Sequence, residues 1–213
     1  MIQAKICGIN SPAAAVAAAA GGAAYIGLVF YPPSPRFVTA DAAAGLAQLV
    51  PERVGRVGLF VDAEDALIEA VLNHVPLTML QLHGRETPQR VRAVKRRFGL
   101  PVMKVIGVAG ARDLDAVAAY SDIADWLLFD ARPPREPGAL PGGNARAFDW
   151  SLLAGRIWSL PWMLSGGLTA ASMPEAVRVT GARAVDVSSG VEDRPGVKNP
   201  DRIRAFLEKA AAL

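Results

Sequence analysis

The feature that most constrains this chain is a short, nearly continuous apolar run that recurs about every 20 to 30 residues. Each run is followed by an Ala-rich or amphipathic stretch. Such runs are typical of parallel strands covered on both faces, because neither face meets water. The predicted strands are residues 2–7, 24–30, 56–61, 78–82, 102–106, 126–130, 161–164 and 184–188.

The segments between the runs predict helices, several of which begin at a proline. Pro12, Pro88 and Pro200 suit a first helical turn, where a missing N–H costs nothing. The predicted helices include residues 64–74, 88–98, 113–121 and 200–211, with a weaker one at 149–155.

Strands that alternate with helices indicate βαβ units throughout, and therefore an α/β fold. An open doubly wound sheet is the alternative, but it seldom needs eight strands in so few residues, and no Gly-x-Gly-x-x-Gly follows the first strand. We therefore expect a (β/α)8 TIM barrel with a parallel eight-stranded core, formed by a single domain over residues 1–213.

Charge and cysteine content narrow the partners and the compartment. The 23 basic and 20 acidic residues are scattered, and the cluster at residues 95–97 falls at an expected helix end. No basic stripe is interleaved with aromatics, so no nucleic-acid partner is expected. The single cysteine forbids an intrachain disulfide and is typical of a reducing compartment, so we expect a cytoplasmic protein.

Residues 11–35 carry no charged side chain, which leaves a signal peptide or membrane helix as an alternative. Gly21 and Gly22 interrupt the segment, and it also fits an Ala-rich helix followed by the second strand. We therefore expect no membrane partner. With two histidines, one cysteine and neither a Walker A loop nor a His-Glu-x-x-His motif, we expect no metal and no cofactor.

In such barrels the active site lies at the carboxyl ends of the strands. After the seventh strand come Gly166 and Gly167, and after the eighth come Ser188, Ser189 and Gly190. Glycines let a phosphate approach backbone N–H groups, although a single Gly-Gly is more often a plain turn. Two matched loops at adjacent strand ends favour a phosphate cradle.

Four side chains at other strand ends each allow two interpretations. Cys7 is a buried thiol or a reactive thiolate, and Asp130 is a helix cap or an acid–base group. Arg36, in a proline-rich loop, is a solvated arginine or a clamp on a carboxylate. His83 is a catalytic group or a hydrogen-bonded residue at the end of a strand.

Taken together, the strand ends resemble the phosphoribosylanthranilate isomerase family over nearly the whole chain. The matching stretches are Lys5-Ile6-Cys7-Gly8-Ile9, Gly27-Leu28-Val29-Phe30, Ser34-Pro35-Arg36, Gly58-Leu59-Phe60-Val61, Leu80-Gln81-Leu82-His83-Gly84, Leu128-Phe129-Asp130, Gly142-Gly143, Phe148-Asp149-Trp150, Gly166-Gly167-Leu168 and Val185-Asp186-Val187-Ser188-Ser189-Gly190-Val191-Glu192.

The resemblance implies an Amadori rearrangement of N-(5-phosphoribosyl)anthranilate in tryptophan biosynthesis. It implies Asp130 as general acid, Cys7 as general base and Arg36 as the holder of the anthranilate carboxylate. The glycine and serine loops would then bind the phosphate of this phosphorylated small molecule. His83 and Asp186 are expected to line the pocket.

Two departures from the family pattern stand out. The family usually has Gly-Gly-Thr-Gly where this chain reads Gly142-Gly143-Asn144-Ala145, which is expected to alter a lid loop. Ser172 stands where the family often has asparagine, and we expect it to cap the following helix equally well.

Two other functions compete. A different phosphosugar barrel enzyme is one, but a metal-dependent epimerase needs ligands this chain lacks, and a synthase with a catalytic lysine has only Lys5 and Lys104 available in strands. A barrel that binds a phosphorylated ligand without catalysis is the other. A monomer is expected rather than a homodimer, because no exposed apolar helix face is obvious.

Overall fold

The computed structural model describes residues 1–133, 140–144 and 146–213. They form a closed barrel of eight parallel strands in chain order, in which the first strand pairs with both the second and the eighth. The barrel strands are β1 Gln3–Cys7, β2 Tyr25–Val29, β3 Gly55–Phe60, β4 Met79–Leu82, β5 Val102–Val108, β6 Trp126–Ala131, β7 Trp162–Leu164 and β8 Ala184–Val187. The predicted barrel is confirmed.

Helices cover the outside of the barrel. They are α1 Pro12–Ala20, α2 Ala40–Gln48, α3 Asp65–Leu72, α4 Pro88–Phe98, α5 Met173–Thr180 and α6 Pro200–Ala211. The proline starts of α1, α4 and α6 are confirmed, and the preceding Ser11, Thr87 and Asn199 side chains accept N–H groups of the first turn. Local sequence therefore sets where these helices begin.

Two predicted helices are 3₁₀ segments instead. The helix expected at 113–121 is a 3₁₀ helix at Ala111–Ala119, and the weak one at 149–155 is a 3₁₀ turn at Trp150–Leu153. In the first, the buried residues are Leu114 and Val117, three positions apart. A three-residue repeat places such positions on one line of a 3₁₀ helix, whereas an α-helix needs a wider stripe.

The uncharged segment 11–35 forms α1 and then β2, as expected from its glycine break. Most alanines of α1 are buried, among them Ala14, Ala15 and Ala18. No helix in the described part of the chain is long and apolar enough to cross a membrane.

The period-two alternation of the strands places polar side chains at one end of the barrel. On β4, Met79 belongs to an apolar cluster inside the barrel, and Gln81 and His83 follow at the next two positions of the same parity. On β6, Leu128 belongs to the same cluster and Asp130 follows two residues later. Because alternate side chains of a strand share a face, the polar residues collect above an apolar floor, at the carboxyl end.

A short antiparallel hairpin follows the barrel, made of β9 Glu192–Arg194 and β10 Val197–Lys198. The sequence interpretation did not include it. Its turn rests on the loops after β1 and β2: Asn10 Nδ2 donates to Gly196 O (2.8 Å), and a Cβ on Gly196 would collide with Pro35 O. The hairpin is thus fixed against the mouth of the barrel.

Candidate active site

Two adjoining pockets open at the carboxyl ends of the strands. The first is lined by six of the predicted site residues, namely Cys7, Arg36, His83, Asp130, Asp186 and Ser188. The second is lined by Gly166, Gly167, Ser188 and Ser189, and shares Asp130, Asp186 and Ser188 with the first. The barrel thus brings together residues from β1, β2, β4, β6, β7 and β8 or the loops that follow them.

The glycine loop after β7 has the geometry of an anion cradle. Gly166 and Gly167 have φ values of 88° and 66°, which side chains rarely adopt. A Cβ on Gly167 would lie 2.7 Å from the carbonyl carbon of Arg146, so a side chain has no room there. Within residues 1–133, 140–144 and 146–213, the N–H groups of these two glycines donate to no protein acceptor.

Gly190 lines neither pocket. A Cβ there would collide with the carbonyl oxygen of Leu168, so this position is glycine because two loops cross closely. The described contacts account for Gly190 by packing.

Cys7 ends β1 with its side chain buried, and Lys5 lies two residues earlier on the same strand. Lys5 Nζ pairs with Asp186 Oδ1 on β8 at 2.8 Å, and Ser165 Oγ donates to Asp186 Oδ2 at 3.1 Å. Burial raises the pKa of the Cys7 thiol, and Asp186 raises it too, although the Lys5 ammonium opposes both. Burial also disfavours charged Lys5, but Asp186 and Cys7 outweigh this and raise its pKa to about 12. A permanent cation therefore stands beside the thiol.

Asp130 lies on the opposite wall, at the end of β6. Ala131 N–H donates to its Oδ1 at 2.8 Å, while Oδ2 lies 3.4 Å from His83 Nε2 without the angles of a hydrogen bond. Gln81 Nε2 lies 3.2 Å from His83 Nδ1, so the two side chains stand next to each other on the Asp130 side of the pocket. One oxygen of Asp130 is fixed and the other faces the pocket.

Arg36 is buried, with 3% of its surface exposed, so the interpretation as a solvated loop arginine is wrong. Its Nε and Nη2 each donate to Glu192 at 2.8 Å, and Nη2 also lies 3.2 Å from Gly143 O. A Cβ on Gly8 would lie 2.7 Å from Arg36 Cδ, so the aliphatic stem packs on glycine backbone. The loop arginine is therefore buried between Glu192 of the hairpin and the glycine loops after β1 and β6.

Lys198 on β10 completes this cluster and was missed in the sequence. Its Nζ donates to Glu192 Oε1 at 2.7 Å and to Ser188 O at 2.8 Å. Burial lowers the pKa of Lys198 to about 8 although Glu192 opposes the shift. Burial raises the pKa of Glu192, but Arg36 and Lys198 together overcome this and lower it.

The other residues missed as site groups are Lys5, Gln81, Ser165 and Glu192. Lys5 carried a usable signal, since a lysine between Ala4 and Ile6 in an apolar strand needs a buried partner. Glu192 carried no local signal for its pairing with Arg36, which lies 156 positions away, and no apolar run around Lys198 marked that lysine as buried.

No three His, Cys, Asp or Glu side chains within the described ranges are grouped so that they could hold a metal ion. The loop after β6 comes close to Asp130, since a Cβ on Gly142 would lie 3.0 Å from Asp130 Oδ2. Asn144 turns back on its own loop, donating to Leu140 O at 2.8 Å. Ala145 lies outside the described residues.

The expectation that Ser172 caps the next helix is wrong. Ser172 precedes α5 but makes no side-chain cap bond, and its Oγ accepts instead from Thr169 N–H at 3.0 Å. Its backbone is already helical, whereas a capping residue is normally extended.

Comparison with known proteins agrees with this geometry. The family model for N-(5'-phosphoribosyl)anthranilate (PRA) isomerase matches residues 4–209. An N-(5'-phosphoribosyl)anthranilate isomerase of Rhodospirillum centenum is 60% identical, with 100% of this chain and 99% of the relative covered. One from Paramagnetospirillum magneticum is 58% identical over 98% of this chain and 97% of the relative.

Solved structures lead to the same family. Phosphoribosyl anthranilate isomerase from Thermotoga maritima superposes with a TM-score of 0.89 at 36% identity, covering all of both chains. A second such isomerase, solved with reduced 1-(o-carboxyphenylamino)-1-deoxyribulose 5-phosphate, gives a TM-score of 0.84 at 34% identity, again over both whole chains. This chain therefore belongs to the N-(5'-phosphoribosyl)anthranilate isomerase family, the isomerases of tryptophan biosynthesis.

Proposed function

We propose that this isomerase converts N-(5'-phosphoribosyl)anthranilate to 1-(2-carboxyphenylamino)-1-deoxyribulose 5-phosphate by general acid–base catalysis, with Asp130 as acid and Cys7 as base. The observation that carries the proposal is that Asp130 and Cys7 line one pocket from opposite walls, β6 and β1. That pocket lies between a buried arginine and a glycine–serine cradle. Two titratable groups and two anion sites match a substrate that has a carboxylate and a phosphate.

In the first step, Asp130 gives a proton to the furanose ring oxygen. The C1′–O bond breaks as the anthranilate nitrogen donates its lone pair, and an open-chain Schiff base results. The Asp130 oxygen that faces the pocket is Oδ2, since Ala131 N–H holds Oδ1. His83, 3.4 Å from Oδ2, lies where it can orient this carboxyl group.

In the second step, the Cys7 thiolate removes the C2′ proton. The electron pair of that C–H bond moves toward the Schiff-base nitrogen, giving an enolamine that tautomerises to the ketone. The thiolate needs a nearby cation, and Lys5 supplies one at the same end of β1. Because burial raises the pKa of Cys7, we expect the C2′ deprotonation step to become faster with pH as the thiolate fraction grows.

The remaining predicted residues are proposed to hold the substrate. Arg36 takes the anthranilate carboxylate with its Nη1, which has no partner among the described residues. The backbone at Gly166 and Gly167 takes the phosphate together with Ser188 and Ser189. The residues His83 and Asp186 line the pocket and position their neighbours.

The test follows the change in anthranilate fluorescence as purified protein turns over freshly prepared phosphoribosylanthranilate. Cys7→Ala and Asp130→Asn are each expected to lose about 10²–10⁴-fold in kcat. Asp125→Asn is the matched control: Asp125 precedes β6 at its amino end, where it pairs with Lys95 at 2.8 Å. That variant is expected to lose stability but to keep the rate per folded molecule.

Full activity in either folded catalytic variant contradicts that residue's assignment. A wild type that binds the reduced product analogue but shows no turnover contradicts the enzyme function. It favours instead the phosphate-ligand-binding barrel, with the loop at Gly142-Gly143-Asn144-Ala145 as the first segment to restore to the family pattern.

We also propose that residues 1–213 unfold as one domain, and that the protein is a cytoplasmic monomer. A single cooperative unfolding transition tests the first point. Sedimentation at micromolar concentration tests the second, and a mass of twice 22.4 kDa contradicts it.

A further inference from the structure

Glu192 occupies one edge of the Arg36 guanidinium, which is proposed to bind the substrate carboxylate. Its Oε1 accepts from Arg36 Nε and its Oε2 from Arg36 Nη2, both at 2.8 Å. Such a paired arrangement fixes both the plane and the rotation of a guanidinium. Glu192 lines neither of the two pockets described above, although it lines an adjoining one together with Arg36. Its direct contact with a residue of the first pocket is the one with Arg36, and Lys198 links it to Ser188.

A count of the guanidinium donors shows what is left for a ligand. Arg36 has five N–H groups, of which Glu192 takes two and Gly143 O takes one. The two N–H groups of Nη1 have no acceptor in the described part of the chain. A Cβ on Gly143 would collide with Nη1, so only glycine lets the loop after β6 pass this close to that edge.

The charges of the cluster also leave room for one anion. Arg36 and charged Lys198 carry two positive charges, and Glu192 neutralises one of them. All three are buried, and a buried net positive charge is stabilised by an incoming carboxylate. Lys198 also donates to Ser188 O and Oγ, at 2.8 and 3.2 Å, so one hairpin contacts both the arginine and the serine loop.

The position of Glu192 is set by tertiary structure. It begins β9, and the turn of the hairpin is held by Asn10 and by contact with Pro35, the residue before Arg36. Arg36 and Glu192 are thus brought together from opposite ends of the chain by two loops that are themselves fixed to each other.

From these contacts we propose that Glu192 is a positioning residue that orients Arg36 toward an aromatic carboxylate, and so determines the preference for a carboxylated substrate. The inference rests on the proposed function, in which Arg36 holds that carboxylate. A purely structural brace would weaken all ligands equally, whereas a positioning residue weakens only ligands that have the carboxylate.

The experiment measures this selectivity by calorimetry with two ligands. One is reduced 1-(o-carboxyphenylamino)-1-deoxyribulose 5-phosphate, and the other is its phenylamino counterpart without the carboxylate. We expect wild type to bind the first about 10-fold or more tightly than the second, since only the first accepts charge-assisted hydrogen bonds from Arg36. Glu192→Gln is expected to lose most of that preference, and Glu192→Asp to keep part of it.

The matched control is Glu86→Gln. Glu86 is equally buried and pairs with Lys104 at 2.7 Å, but it does not contact Arg36. We expect this variant to keep the wild-type preference even if both affinities fall. In steady state, Glu192→Gln is expected to raise KM more than it lowers kcat, because it disturbs binding rather than proton transfer.

Three results overturn the proposal. Equal loss of both ligands in Glu192→Gln marks a structural brace, and a greater preference for the carboxylated ligand means that Glu192 competes with it for Arg36. A wild type that binds both ligands equally well contradicts the role of Arg36 in holding the carboxylate. A wild type that discriminates between the ligands but does not turn over contradicts the proposed function and leaves this inference standing.

Discussion

Two buried glutamates flank the mouth of the barrel, and they differ in what they hold. Glu86 accepts N–H groups of Asp62 and Gly84, each at 3.0 Å, and pairs with Lys104 at 2.7 Å. It therefore ties the residues that follow β3 and β4 to Lys104 of β5. Glu192 pairs with its own lysine at the same distance, but its other partner is Arg36, which lines the pocket.

The two clusters are alike in burial and in the length of the lysine pair, yet only one contacts the pocket. Burial and ion pairing therefore do not identify a functional group in this protein. What distinguishes the two glutamates is the group that each carboxylate orients. Glu86 orients backbone N–H groups, whereas Glu192 orients a side chain that still has donors for a ligand.

The largest expected effect is on stability, from Glu86→Ala. Removing this carboxylate leaves Lys104 as a buried charge with only carbonyl partners, so we expect a loss of about 3–5 kcal/mol in the free energy of unfolding. Urea denaturation measures it. Glu86→Gln, whose side-chain oxygen still accepts an N–H, is expected to lose less, and a loss below about 1 kcal/mol in Glu86→Ala contradicts the comparison.

The lysine of the pocket-side cluster is expected to make stability depend on pH. Burial lowers the pKa of Lys198 from 10.5 to about 8, so between these values the folded protein binds fewer protons than the unfolded chain. Stability therefore rises with pH across this window, by up to about 1.4 kcal/mol per pH unit.

Lys198→Met removes this contribution, so the free energy of unfolding of wild type minus that of the variant should increase from pH 8 to pH 10. Denaturation curves at several pH values give the difference and cancel the other titrating groups. A difference that stays constant, or falls, contradicts the lowered pKa of Lys198.

A third test compares how Asp186 and the remote Glu86 affect the pKa of Cys7. Asp186 raises the pKa of Cys7, so Asp186→Asn is expected to lower that pKa and move thiol alkylation to lower pH. Because the chain has one cysteine, iodoacetamide reports on Cys7 alone. Glu86→Gln should leave the profile unchanged, and a shift of equal size in both variants would show a general loosening of the fold.

The smallest effect is expected from a solvent-exposed ion pair between a glutamate and an arginine. Glu175 and Arg178 lie on α5 with side chains 56% and 72% exposed. Hydration and salt screen such a pair, so Glu175→Gln should leave the thermal midpoint within error of wild type. A loss comparable to that of Glu86→Ala would mean that pairing, and not burial, gives the buried clusters their energetic weight.

Much of the architecture could be read from the sequence, because it depends on local pattern. The apolar runs predicted all eight barrel strands, and the prolines at the starts of α1, α4 and α6 predicted those helix ends. The rule that function lies at the carboxyl ends of strands selected Cys7, His83, Asp130 and Ser188, which line one pocket.

The sequence did not predict the hydrogen-bond partners of these residues. Arg36 and Glu192 are separated by 156 positions, and Lys5 and Asp186 by 181. Neither local propensity nor periodicity carries information over such separations. The two 3₁₀ segments were missed for a related reason, since packing on the barrel decides between hydrogen-bonding patterns that a short sequence allows equally.

The sequence by itself determined the order of the elements, the polar residues at the strand ends and, by resemblance, the family. Only the tertiary structure decided that Arg36 is a buried, oriented group and that a cation stands beside Cys7. Closing the barrel pairs β1 with β8 and sets Lys5 in register with Asp186. Closure also removes water from these charged side chains, so each of them must pair with another polar group inside the barrel. This requirement exists only in the folded chain.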